Sequence, residues 1–122
     1  MVLLKMFLKP KEPEEDIALA LKEIVAVFFK GKYGKRKRMK AALETLRVSL
    51  MMLAGKYNSD EIVKLTEYVE EAMKELENNK LHKVMYNALT LATKLENTLW
   101  KLGADKKYIA EIRNAIEWKQ PL

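Results

Sequence analysis

A chain of 122 residues with no cysteine excludes a disulfide framework, a zinc knuckle and a thiol nucleophile, and its length suits one hydrophobic core rather than two. The formal net charge of +6 is concentrated rather than spread: of 23 Lys and Arg, seven fall in the stretch Lys30–Lys40, and the rest of the chain, with its 17 Asp and Glu, is about one charge negative. A single cationic segment on an otherwise neutral protein calls for an anionic partner.

The first element is an apolar run, Val2, Leu3, Leu4, Met6, Phe7 and Leu8, split by Lys5 and closed by Lys9 and Pro10. It is too short for a signal peptide or a membrane span and reads as an N-terminal tail, residues 1–12, that packs on the domain spanning residues 13–122. The absence of cysteine fits a reducing, cytoplasmic compartment. Charged residues make up 33 % of the chain and glutamine appears once, a balance that leans towards a thermophilic source.

Hydrophobic spacing then predicts helices throughout and no strand, hence an all-α fold. Pro13 followed by Glu14, Glu15 and Asp16 marks a helix start, with proline in the first turn and acids at the positive end of the dipole. This helix runs to about Lys30. From Ile17 to Phe29 only Lys22 and Glu23 are charged, so it needs cover on nearly every side, as a central helix or an oligomer interface.

A second helix, from near Gly34, carries the seam Met39, Leu43, Leu46, Leu50 and Leu53 and is expected to stop at Gly55. Asn58 with Glu61 has the form of a capping box, and Ile62, Leu65, Val69, Ala72 and Leu76 form the third seam, ended by Asn78 and Asn79. The fourth helix repeats Leu81, Met85, Ala88, Ala92, Leu95, Leu99 and Leu102 before Gly103 supplies a left-handed cap. A shorter fifth, Asp105 to about Lys119, presents Ile109, Ile112 and Ile116. Short connections make neighbours antiparallel, so the expected fold is an up-and-down bundle of four helices with the fifth folded against it.

The cationic segment joins the first two helices, with Gly31 and Gly34 on either side of Tyr33. Lys35, Arg36, Lys37 and Arg38 fall in the first turn of the second helix, where amide groups already present partial positive charge. The placement is unfavourable unless an anion binds there, and phosphate is the natural one. Arg36, Lys40 and Arg47 project along one edge of that helix as a stripe about 16 Å long. Tyr33 is placed to stack on an unpaired base. The candidate nucleic-acid-binding residues are therefore Lys30, Lys32, Tyr33, Lys35, Arg36, Lys37, Arg38, Lys40 and Arg47.

Catalytic chemistry finds little here. His82 is the one histidine, without a second histidine or cysteine to share a metal, and no arginine precedes it at helical spacing. Ser49 lies inside a helix and Ser59 at a helix start where it caps. Met51, Met52, Met73 and Met85 are expected to fill core gaps, and Trp100 and Trp118 to anchor the core or an interface. No catalytic residue, metal site or cofactor is expected.

The sequence thus predicts a non-enzymatic helical protein that holds the backbone of RNA or DNA largely independently of sequence. In size, helicity and single basic face it is similar in kind to small helical subunits of nucleoprotein machines, CRISPR effector complexes among them, and to proteins that coat nucleic acid; no motif names a family. The alternative is a scaffold protein whose basic loop docks on the acidic third helix (Asp60, Glu61, Glu67, Glu70, Glu71, Glu75, Glu77) of another copy or another protein subunit. No membrane partner is expected.

Overall fold

The computed structural model describes residues 12–31 and 33–117. Within them the chain forms five helices, α1 Pro13–Lys30, α2 Lys35–Tyr57, α3 Asp60–Glu77, α4 Leu81–Lys101 and α5 Lys106–Ala115, and no strand. The expected tail (Val2–Leu8), Lys32 and Trp118 lie outside the described residues.

Each helix packs on the next, α1 on α2, α2 on α3 and α3 on α4; α4 returns to α1, and α5 lies against both. The result is the predicted helical bundle, a ring of four with α5 laid over the α1–α4 seam. Antiparallel running is visible in the side chains that join α1 to α2: Arg38 near the start of α2 meets Glu23, and Lys56 near its end meets Glu14. One end of the bundle, the loop end, therefore gathers the end of α1 and the start of α2. The opposite end gathers the start of α1, the end of α2 and the start of α5.

The seams read from sequence face inward, except that Leu102, read as the last residue of the fourth, is the C-cap of α4 and is exposed. Met39, Leu43, Leu46, Leu50 and Leu53 of α2 and Ile62, Leu65, Val69, Ala72 and Leu76 of α3 are all buried, with Met85, Ala88, Ala92, Leu95 and Leu99 of α4 and Ile109 and Ile112 of α5. α1 contributes Ile17, Leu21 and Ile24 without exposure. Three neighbours cover it, yet Leu19 and Phe29 remain half exposed.

Several local expectations need correction. Gly55 does not end α2: the helix continues to Tyr57, and Asn58 stops it in the left-handed region at φ 49°, where asparagine is tolerated. The cap of α3 is then Ser59, as its place at a helix start predicts, its Oγ accepting from the Ile62 amide at 3.2 Å, and the capping box with Asn58 does not form. Gly103 does take a left-handed conformation, φ 74°. Met51 and Met52 face solvent rather than the core, and Trp100 is mostly exposed, whereas Met85 is buried. α5 is shorter than expected, with Ile116 closing it.

Candidate functional site

The α1–α2 connection is shaped by its two glycines. At Gly31 a Cβ would stand 2.6 Å from the Val27 carbonyl oxygen, so the chain leaves α1 by a route closed to other residues. Gly34 holds φ +66°, a left-handed step that only glycine takes without strain, and it forms the N-cap of α2. No side chain caps that N-terminus, so the first-turn amides face outward with their partial positive charge.

Between these glycines Tyr33 stands 88 % exposed. Around it the predicted cations divide into two groups. Three are engaged within the fold: the Lys35 ammonium donates to the Phe28 carbonyl at 3.3 Å, Arg38 donates through Nε and Nη2 to Glu23 Oε1 at 3.0 and 2.7 Å, and Arg47 Nη1 lies 3.8 Å from Glu70. Lys35 is thus less frustrated than its place in the first turn of α2 suggests, because its ammonium sits at the negative end of α1. The others, Lys30, Arg36, Lys37 and Lys40, make no ion pair or side-chain hydrogen bond among the described residues.

The stripe Arg36–Lys40–Arg47 runs beside α3 rather than over open surface. Arg36 and Lys40 line a small cleft with Met73, Leu76 and Glu77, and Arg47 meets Glu70. The unpaired charge is therefore concentrated at the loop end and does not extend along α2.

A second polar cluster, not anticipated from sequence, occupies the opposite end. Glu14 is fully buried, and Lys56 Nζ donates to both its oxygens at 2.9 and 3.2 Å and to Glu12 Oε2 at 2.9 Å. The Tyr57 hydroxyl donates to Glu14 Oε2 at 3.2 Å, and the Lys56 ammonium also stands 5.6 and 5.3 Å from the centroids of the Tyr57 and Tyr108 rings. Burial lowers the Lys56 pKa, but the hydrogen bonds to Glu12 and Glu14 outweigh it and hold the group above the ordinary lysine range. Burial and the Glu14 charge likewise push the Tyr57 hydroxyl up. Glu14 lies in register with Ile17, Leu21 and Ile24, at steps of three, four and three, which was the one signal in the sequence that it points inward.

His82, at the start of α4, is exposed and lines an open groove with Glu71, Glu75, Lys83, Tyr86 and Asn87. One oxygen of Glu75 there is shielded from solvent and has no hydrogen-bond partner among the described residues. Among the described residues no three His, Cys, Asp or Glu are placed to hold a metal ion, and no helix is long and apolar enough to cross a membrane.

Compared with protein-family models, curated proteins and solved structures, the chain matches none. Any functional reading rests on the geometry above.

Proposed function

We propose that this is a non-enzymatic, cytoplasmic protein that binds nucleic acid by its phosphate backbone at the loop end of the bundle. The observation that carries the reading is that Lys30, Arg36, Lys37 and Lys40, which make no ion pair among the described residues, flank the exposed Tyr33 in sequence and lie at or next to the N-terminus of α2, which no side chain caps. Cations held together without counter-charges repel one another, and a polyanion relieves that repulsion while releasing its own counterions. The remaining candidates have supporting parts: Lys35 fastens the loop to α1 and Arg38 fastens α2 to it, while Lys32 adds charge to the loop sequence. The sequence carries no recognition signature such as a helix-turn-helix with a polar reading helix, so binding is expected to be largely independent of sequence. A small subunit of a nucleoprotein complex, or a protein that coats nucleic acid, fits such a surface.

The test is a low-salt titration of mixed-sequence oligonucleotides by fluorescence anisotropy. The triple variant Arg36→Gln, Lys37→Gln, Lys40→Gln is expected to bind at least tenfold more weakly at unchanged helicity; unchanged affinity would sink the reading.

A second reading has its own support. Asp60, Glu67, Glu71 and Glu77 of α3 have no ion pair among the described residues. The basic loop of another copy would complement that face. Size-exclusion chromatography separates the two: a self-complex dissolves as salt rises without nucleic acid, whereas a binding protein elutes as one species and shifts only when an oligonucleotide is added.

A further inference from the structure

We propose that the outer face of α2 is a homodimer interface, on which two copies of the chain pair antiparallel about a two-fold axis at Val48. On the side of α2 turned away from the core, Ala41, Thr45, Val48, Met52 and Gly55 recur at steps of four, three, four and three, the seam of one helix laid along another. α2 packs on α1 and α3 alone, and no described helix covers this side. Val48 is 54 % exposed, Met51 49 % and Met52 56 %. Val48 lies midway between Ala41 and Gly55, so the face is centred on it and closes with a small residue at each end.

Charge sets the direction of the pairing. A parallel pair would lay one cationic loop against the other, whereas an antiparallel pair centred on Val48 holds the two Gly34 caps about 40 Å apart. It also brings Lys37 of one copy, about 16 Å before Val48, level with the junction of α2 and α3 in the other, where Asp60 stands. Lys37 and Asp60 are both exposed, and neither makes an ion pair among the described residues; the two-fold axis brings them together twice. Side chains match in size as well: Val48 meets Val48, Ala41 meets Gly55, and the short Thr45 lies opposite the long Met51. Met52 leans to the α1 flank of α2, the side on which Lys56, one turn on, reaches Glu14. A two-fold axis keeps that flank facing its own counterpart, so Met52 of one copy stands over the groove that Ala41 and Thr45 of the other share with Leu19, itself 50 % exposed. The same groove is lined by Glu23 and Arg38, which neutralise each other. On the α3 flank Glu44 and Arg47 border the seam, Arg47 paired with Glu70. The inference does not rest on nucleic-acid binding, and it differs from a basic loop docked on α3 in being apolar at its centre.

Because the chain has no cysteine, single substitutions in the full-length protein test this. A residue on a two-fold axis meets itself, so Val48→Cys is expected to form a disulfide-linked dimer under mild oxidation at least tenfold faster than Tyr86→Cys or Asn114→Cys, exposed positions on α4 and α5. Ala41→Cys mixed with Gly55→Cys is expected to give the mixed dimer over either self-paired one. Equal rates at the three positions, or preferred self-pairing of Ala41→Cys, would overturn the proposal. A contact of one helix on another lies at the small end of specific interfaces, so sedimentation equilibrium of the unsubstituted chain is run up to about 1 mM. It is expected to show a monomer–dimer equilibrium that persists in high salt and that Val48→Glu with Met52→Glu abolishes at unchanged helicity. A chain monomeric throughout, a dimer that the double substitution leaves intact, or one that salt alone dissolves contradicts the proposal. Val48 and Met52 lie outside the basic loop, so failure here leaves the nucleic-acid reading untouched.

Discussion

Lys56 Nζ and Glu14 Oε2 lie 2.9 Å apart, joining the last turn of α2 to a carboxylate in the first turn of α1 that has no solvent exposure. A buried carboxylate is costly to desolvate and is tolerated here because Lys56 and the Tyr57 hydroxyl satisfy its lone pairs. Lys56→Met removes the cation and leaves Glu14 with a single donor, so it is expected to cost about 3 kcal/mol, or roughly 10 °C in melting temperature for a domain of this size. Adding Glu14→Leu removes the stranded charge and is expected to recover most of that loss. Calorimetry on both variants checks this; a double variant as unstable as the single one contradicts the account.

The same cluster predicts how stability varies with pH. Lys56 and Tyr57 both have pKa values raised in the folded state, so the native protein holds their protons more tightly than the unfolded chain. Their contribution is complete below the unfolded values, near 10 for both types, and is lost as pH rises through the folded ones. Melting temperature is expected to fall on going from about pH 9 to pH 11, and the fall should be shallower in Tyr57→Phe.

Pairing within the fold sorts the loop cations. Arg38 is already matched by Glu23, with about half of each side chain exposed, so Arg38→Gln is expected to cost under about 1 kcal/mol of stability and to weaken oligonucleotide binding less than Lys37→Gln does. Equal losses in anisotropy titrations would mean that the Arg38–Glu23 pair opens on binding.

Four unpaired cations tracking a single strand predict that log K falls against log salt with a slope of about −3. If a base stacks on Tyr33, Tyr33→Ala costs about 1 to 3 kcal/mol with single strands and little with duplexes. A loss equal for both would assign Tyr33 to loop structure.

Ile24 has no exposure and faces the interior from the middle of α1. Ile24→Asp places an unpaired charge there, and circular dichroism is expected to show an unfolded or molten chain at room temperature.

Helix seams were legible because a helix buries residues at intervals of three and four, and Met39 to Leu53 keeps that rhythm without a break. Polar tips of helices were less so. Asn58 and Ser59 are both good capping residues, and the choice between them depends on α2 running past Gly55, which interior packing of Leu53 and Ala54 supports despite the glycine. Met51 and Met52 read as core by composition, but the wheel of α2 already has its inward face filled by Leu46, Leu50 and Leu53. At the site, the sequence located the charge but not its neutralisation: whether Arg38 meets Glu23, or Arg47 meets Glu70, is decided by the register between neighbouring helices, which no single helix encodes.

The cover of α1 comes from opposite ends of the described chain, from α2, which follows directly, and from α5, the last described helix. During synthesis Ile17 and Leu21 emerge long before that final cover exists, and the flank of α1 that α5 covers stays open while α2, α3 and α4 assemble around the rest. A chain interrupted before Asp105 would keep this flank open to the α5 of an intact neighbour, a route to domain exchange written into the order of the helices rather than into any one of them.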